Sequence, residues 1–187
     1  DVVVNNAGIE ISDLFVDLDP DNMRRVLNVN VVGTALGIKH GFRAMQPAGS
    51  AGNGGTIVNI SSVAATIAFP GIAAYSASKS AVIRLTKVAA AESGRLGYGV
   101  RVHAICPGLV PTVMGGQLAV DMQRLGLFPS TDEAVGAVIS LTPSGRLATE
   151  DDIANGVAFL ASDDAAFING VALSIDGAMG MSGHDHE

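Results

Sequence analysis

Four short runs of β-branched and apolar residues recur along this chain, and each interval between them is long enough to hold a helix. The runs occupy residues 2–4, 56–61, 100–105 and 172–175. Strands joined by crossover helices pair in parallel. A chain that is 48% hydrophobic and only 16% charged agrees with a sheet buried on both faces. The pattern predicts an α/β fold: a Rossmann-like, doubly wound parallel sheet with helices on both faces.

The intervals contain recognisable helix boundaries. Asp19 followed by Pro20 is typical of an N-cap and first helical residue, and apolar spacing extends this helix to about Met45. A second helix is expected over residues 73–93, ended by the glycines that follow it, Gly94 and Gly97. Its face of small and branched residues could cover the sheet or form an interface: Ala81, Val82, Leu85, Val88 and Ala89.

The third interval breaks the alternation between residues 109 and 143. This segment is rich in Met, Leu and Gly, and only one short helix is expected in it, after Ser130. A further helix is predicted from Thr149 to Leu160. We expect residues 1–187 to form one domain, with residues 109–143 as a substrate lobe and residues 181–187 as a frayed tail.

Charge and cysteine content exclude several classes of protein. A net charge of -7 is unfavourable for binding a phosphate backbone, and no run of about 20 apolar residues indicates a membrane span. The single cysteine, Cys106, permits no intrachain disulfide and fits a reducing compartment, so we expect a cytoplasmic protein. No metal site is expected, since His184 and His186 in the tail are more simply explained as solvated residues.

Tyr75 and Lys79 carry the clearest chemical signal. They are four residues apart, so they share one face of a helix. A nearby ammonium lowers the pKa of a phenol, which then can exchange a proton with a carbonyl or hydroxyl oxygen. Ser62, thirteen residues earlier at a strand end, could polarise the same oxygen, with Ser61 as the competing assignment. Taken alone, the Tyr–Lys spacing also fits an exposed lysine beside a tyrosine.

Several motifs lie where predicted strands end. Because ligands of open parallel sheets bind beyond the carboxyl ends of the strands, residues 5–8, 61–62 and 107–108 are expected to face one crevice. Together with three further segments, these motifs resemble, in order and spacing, those of the short-chain dehydrogenase/reductase family. The matching segments are Asn5-Asn6-Ala7-Gly8, Asn28-Val29-Asn30, Ile60-Ser61-Ser62, Tyr75-Ser76-Ala77-Ser78-Lys79, Pro107-Gly108-x-Val110-x-Thr112 and Ile175-Asp176-Gly177.

The resemblance implies a role for each matched residue. Tyr75 would be the general acid/base, Lys79 would lower its pKa and bind the nicotinamide ribose, and Ser62 would orient the substrate oxygen. Asn30 would hold a water that links Lys79 to solvent. The remaining matched positions would contact NAD or NADP: Asn5, Ala7, Gly8, Pro107, Gly108, Val110 and Thr112.

One landmark of the family is missing. Its glycine-rich turn, which seats the pyrophosphate on a helix N-terminus, has no match here, because the glycines of residues 49–55 precede a strand instead of joining a strand to a helix. We expect the first strands and this turn to lie upstream of Asp1, together with the residues that select NAD or NADP.

The expected activity is hydride transfer between NAD(P) and a secondary alcohol or ketone. The apolar lobe favours an apolar, cyclic or steroid-like small molecule. A 3-oxoacyl-carrier-protein reductase is an alternative, which would need a basic patch for the acidic carrier. An inactive fragment or a non-catalytic binding member is another. The resemblance also implies a homotetramer or a dimer, built on the helix that carries Tyr75.

Overall fold

Four parallel strands form the centre of the molecule. The computed structural model describes residues 1–181, and the sheet has the order β1-β2-β3-β4. The strands are β1 Val2–Asn5, β2 Gly55–Ile60, β3 Val100–Pro107 and β4 Ala172–Ile175. All neighbouring strands pair in parallel, which confirms the predicted sheet to within two residues at each strand end.

Helices cover both faces of the sheet. Six α-helices alternate with the strands: α1 Pro20–Leu27, α2 Gly33–Met45, α3 Ala73–Leu96, α4 Val113–Arg124, α5 Thr131–Ser140 and α6 Glu150–Ala161. Side chains alternate across a strand, so Ile57 packs on α2 and α3 while Val58 packs on Leu160 of α6. The expected double-sided burial is confirmed.

The first helix is continuous but changes its winding. Asp19 caps α1 by accepting a hydrogen bond from the Asp21 N–H at 2.9 Å, as predicted. Residues Asn28–Val32 form a π-helical segment between α1 and α2, which the sequence pattern did not predict. Such bulges are frequent at functional sites, and this one contains Asn30.

Helix α3 is longer than predicted. It passes through Gly94 and ends at Gly97, whose φ of 69° is left-handed. Gly94 keeps helical geometry, so the prediction that it marks the helix end was wrong, whereas Gly97 supplies the left-handed residue of a common helix end. On the helix face of small and branched residues that runs from Ala81 to Ala89, Val82 is fully buried and Val88 is 55% exposed. This helix therefore covers the sheet and also exposes an apolar edge.

The lobe contains one helix more than predicted. Helix α4 was not predicted, because Gly115 and Gly116 in its first turn lower helix propensity. Thr112 nevertheless caps it through the Gly115 N–H at 3.3 Å. The predicted cap of α5 by Ser130 and the capping box that begins α6 are both present.

Two sequence predictions concern the end of the chain or its membrane association. Residues 182–187, with both tail histidines, lie outside the described part of the chain. Within residues 1–181, no helix has both the length and the apolar character that a membrane crossing requires.

Candidate active site

A cavity of about 810 Å³ opens where β1, β2 and β3 end. Most residues predicted for catalysis or cofactor binding line it: Ala7, Gly8, Ser62, Tyr75, Lys79, Pro107, Gly108, Val110 and Thr112. Asn5 and Asn30 do not. The topology therefore brings together four segments that are far apart in sequence, as the strand ends predicted.

Lys79 is a buried cation at the base of the cavity. Only 5% of the residue is exposed, and its Nζ donates a hydrogen bond to the Ile60 carbonyl at 2.8 Å. The other two Nζ–H groups have no acceptor among the described residues. Burial lowers the pKa of Lys79 from 10.5 to about 8, because the apolar surroundings disfavour the charged form.

Tyr75 lies next to this ammonium. The Lys79 Nζ is 5.4 Å from the centre of the Tyr75 ring, and the Ser62 hydroxyl is within hydrogen-bonding reach of the phenol. Burial raises the pKa of Tyr75 above 10.0, the Ser62 hydrogen bond opposes that rise, and the nearby Glu10 carboxylate adds to it. The expected lowering of this pKa by Lys79 is not found, since loss of solvent around the phenol has the larger effect.

The two candidate serines have different environments. Ser61 is buried, and its hydroxyl donates to the Lys79 carbonyl at 2.8 Å. Ser62 is half-buried, lines the cavity and accepts a hydrogen bond from the Ala64 N–H at 3.1 Å. Both serines line the cavity, but the Ser61 hydroxyl donates to the Lys79 carbonyl whereas the Ser62 hydroxyl faces the Tyr75 phenol, so the geometry favours Ser62 over Ser61.

Asn30 anchors the loop after β1. Its Oδ1 accepts from the Ile9 N–H at 2.9 Å, and its Nδ2 donates to the Ile9 carbonyl and to Ser78 Oγ, both at 2.9 Å. The π-helical segment turns this side chain inward, where it is 1% exposed. One Oδ1 lone pair remains, which is enough to hold the water expected by resemblance.

Asn5 is placed differently from the expectation. Its Nδ2 donates to Asn59 Oδ1 at 2.7 Å, and Asn59 in turn donates to Thr86 Oγ1 at 2.9 Å. The alternation of β1 directs this amide toward α2 and α3, and the expected place of Asn5 beside the cofactor stays a prediction. Asn5 links strands and helices beneath the cavity.

The segment after β3 forms another wall. The Gly108 N–H donates to the Ile175 carbonyl at 3.0 Å, and a Cβ at Gly108 would approach the Asp176 backbone to 3.1 Å, so glycine allows close packing there. Thr112 acts as the N-cap of α4, and its own hydroxyl proton stays free to donate. Thr112 therefore has a capping role, which the sequence alone could not distinguish from contact with a ligand.

The sequence pattern did not indicate Glu10 or most of the side chains that the lobe contributes to the cavity. Glu10 lines the cavity beside Tyr75, and its position two residues after Gly8 was the available signal. Helix α4 supplies apolar lining through Met114, Leu118 and Met122, which could be identified only once that helix was known.

The residues present fit one half of a nicotinamide dinucleotide. A buried ammonium with two unshared N–H groups beside a small residue, Gly8, suits the hydroxyls of a ribose. Within residues 1–181 no glycine-rich turn joins a strand to a helix at this cavity. In the same part of the chain no cluster of His, Cys, Asp and Glu could hold a metal ion.

Comparison with known proteins agrees with the motif resemblance. The family model described as enoyl-(acyl carrier protein) reductase matches residues 1–181. The chain is 42% identical over 178 residues to 2-(S)-hydroxypropyl-CoM dehydrogenase 3 of Xanthobacter autotrophicus, covering 95% of this chain and 65% of that protein. It is 37% identical over 177 residues to trans-4-hydroxycyclohexanecarboxylate dehydrogenase of Sinomonas cyclohexanicum, covering 95% and 59%.

A solved structure is similar in fold. The gluconate 5-dehydrogenase of Burkholderia cenocepacia, in complex with NADP and tartrate, has a TM-score of 0.79 and 31% identity, over 98% of this chain and 66% of that one. The chain thus spans about two thirds of the length of these proteins. By its motifs, its sheet and these matches, the chain belongs to the short-chain dehydrogenase/reductase family.

Proposed function

We propose that the protein interconverts a secondary alcohol and its ketone with NAD or NADP. The observation that carries this proposal is the meeting of Ser62, Tyr75 and Lys79 at the base of one cavity. A phenol, a hydroxyl and an ammonium around a single point are what proton exchange at an alcohol oxygen requires. The relatives described above bear names of dehydrogenases.

Each residue of the cluster has a distinct task. A nicotinamide cofactor held near Lys79 and Gly8 would supply the capacity to take up or give back a hydride at the substrate carbon. During oxidation the Tyr75 phenolate takes the hydroxyl proton, and during reduction the phenol gives it back. Without substrate the Ser62 hydroxyl lowers the pKa of Tyr75; with substrate it donates its hydrogen bond to the substrate oxygen instead. The Lys79 ammonium, 5.4 Å from the centre of the Tyr75 ring, favours the phenolate by an effect smaller than that of burial, and Asn30 holds the water that connects Lys79 with solvent.

Cofactor binding is assigned to the walls near Lys79. We infer that Lys79 donates to the nicotinamide ribose, that Ala7 and Gly8 approach the cofactor along one side, and that the segment from Pro107 to Thr112 does so along the other. The dinucleotide in the solved relative is NADP, which supports this class of cofactor without choosing between NAD and NADP.

The substrate is proposed to be apolar or cyclic. Aromatic and aliphatic side chains surround Tyr75, including Phe69, Leu118, Met122 and Phe128. Residues 109–143 are proposed as a substrate lobe within one domain. A 3-oxoacyl-carrier-protein reductase remains the competing activity, but the only base among the described lining residues is Lys79.

The assembly and location are proposed on separate grounds. We infer a homotetramer or dimer that uses α2 and α3, whose outer surface exposes Leu36 and Val88. Cys106 is free and buried, which supports a cytoplasmic protein. A non-catalytic or inactive member is disfavoured by the intact Ser62, Tyr75 and Lys79.

The proposal is tested by turnover. Cyclic secondary alcohols and an acetoacetyl thioester are assayed with each cofactor, following nicotinamide absorbance. Tyr75→Phe should lower kcat by about 10²–10⁴, the usual contribution of a positioned acid/base, and should leave cofactor binding intact. The matched control is Tyr98→Phe, since the other tyrosine packs on Phe42 away from the cavity.

Three results would contradict parts of this proposal. Full activity in Tyr75→Phe would remove the assigned role of the phenol. Turnover of the thioester alone would favour the carrier-protein activity. No turnover by the wild type on any compound, with intact cofactor binding, would favour the non-catalytic member.

A further inference from the structure

Glu10 is a carboxylate inside an otherwise apolar substrate cavity. It lies in the loop after β1, is half-buried, and lines the cavity with Phe69, Tyr75 and Leu118. One of its oxygens, Oε1, accepts a hydrogen bond from Ser12 Oγ at 2.7 Å. The carboxylate is therefore held in place on the substrate side of the phenol.

Within residues 1–180 no basic side chain forms an ion pair with Glu10, although Arg124 lies near enough to lower its pKa. The nearby base is Arg124, which is engaged elsewhere: its Nε donates to Asp121 Oδ1 at 2.9 Å, and its Nη2 donates to the Ser12 carbonyl at 2.9 Å. Asp13 and Asp121 add further negative charge around Glu10. Lys79 is bound to the Ile60 carbonyl beside Tyr75. A ligand near Glu10 therefore meets a net negative surrounding.

Burial strengthens the interaction of a charged Glu10 with a ligand beside it, and it also makes the charged form less favourable. Loss of solvent raises the pKa of Glu10 above 4.5, partly offset by the Ser12 hydrogen bond. In a cavity with apolar walls, a second anion a few ångströms away would be repelled strongly, whereas a hydrogen-bond donor would be attracted. The influence of Glu10 reaches the phenol, because it raises the pKa of Tyr75.

We propose that Glu10 is a specificity-determining residue that accepts a hydrogen bond from a second hydroxyl of a neutral alcohol and excludes alcohols bearing a carboxylate. This inference rests on the proposed function and narrows its substrate class to a diol.

Three substrates of one shape test the proposal. They are 1,4-cyclohexanediol, cyclohexanol and 4-hydroxycyclohexanecarboxylate, compared by kcat/KM in the wild type and in Glu10→Gln. The wild type should prefer the diol, and the substitution should reduce the diol-to-carboxylate ratio by about tenfold, equivalent to one pKa unit of charge interaction. Glu92→Gln on the exposed face of α3 is the charge-matched control and should leave the ratio unchanged.

A second readout needs no turnover. The difference in phenolate absorbance between each protein and the same protein carrying Tyr75→Phe reports Tyr75 alone. Removing the Glu10 charge should lower the pKa of Tyr75, and Glu92→Gln should not change it.

The outcomes separate the two proposals. Alcohol oxidation that depends on Tyr75 but shows the same substrate ratio in Glu10→Gln overturns the specificity proposal alone. Absence of turnover by the wild type overturns the proposed function, and the titration then decides the position of the carboxylate. If Tyr75 titrates identically in the wild type and in Glu10→Gln, Glu10 lies away from the reacting oxygen and is not a specificity-determining residue.

Discussion

Replacing Lys79 with methionine should stabilise the fold while impairing catalysis. The pKa of Lys79 is lowered from 10.5 to about 8, so holding the ammonium charged in the folded state at pH 7 costs about 3 kcal/mol, at roughly 1.4 kcal/mol per unit. Methionine fills a similar volume without charge, but it leaves the Ile60 carbonyl without the 2.8 Å hydrogen bond, a loss of about 1–2 kcal/mol. The expected net gain is about 1–2 kcal/mol in the free energy of unfolding.

The pH dependence of stability identifies the cause. Above about pH 8 the folded protein releases the Lys79 proton while the unfolded chain keeps it until about pH 10.5. The unfolded state then binds more protons, so wild-type stability should rise between about pH 8 and pH 10. Urea unfolding measures it, and Lys79→Met should lack that rise. A variant less stable than the wild type at pH 7, or one that keeps the rise, would refute the reasoning.

Two other predictions concern stability away from the cavity. Burial lowers the pKa of His103 from 6.5 to about 4, so the unfolded chain takes up a proton before the folded protein does as acid is added. Urea unfolding midpoints should therefore fall between about pH 6.5 and pH 4. His103→Leu should reduce this fall, whereas the control His40→Gln on the exposed surface should not. Gly37→Ala should destabilise the fold by about 1–3 kcal/mol because its Cβ would collide with the Asn5 amide. Gly116→Ala, with open space around it, should stabilise the fold by up to about 1 kcal/mol. Thermal unfolding measures both variants, and equal effects would contradict the contact of Gly37 with Asn5.

The parallel sheet was predictable because each strand and helix boundary is specified by residues that are adjacent in the sequence. Each strand is a short β-branched run, and the caps of α1, α5 and α6 are single residues whose side chains meet their own backbone. The pairing of Tyr75 with Lys79 is likewise fixed by one helical turn. Those features depend little on distant contacts, so the sequence pattern is sufficient to identify them.

Other features depend on contacts across the fold. The π-helical turn around Asn30 is stabilised by a loop 21 residues earlier and by Ser78, 48 residues later. The direction of the Asn5 amide follows from the packing of β1 on its neighbours. The pKa of Tyr75 is raised mainly by burial, and residues of α4, a helix that the sequence pattern did not predict, contribute to that burial. None of these can be derived from residue spacing along one element.

Ser62 and Tyr75 are proposed to act on one substrate oxygen. A double-mutant cycle on kcat/KM, with Ser62→Ala, Tyr75→Phe and the combined variant, measures whether they do. Groups that share an oxygen should be strongly coupled, so the double variant should lose little more activity than Tyr75→Phe alone. Independent losses that multiply in the double variant would contradict the convergence of the two side chains.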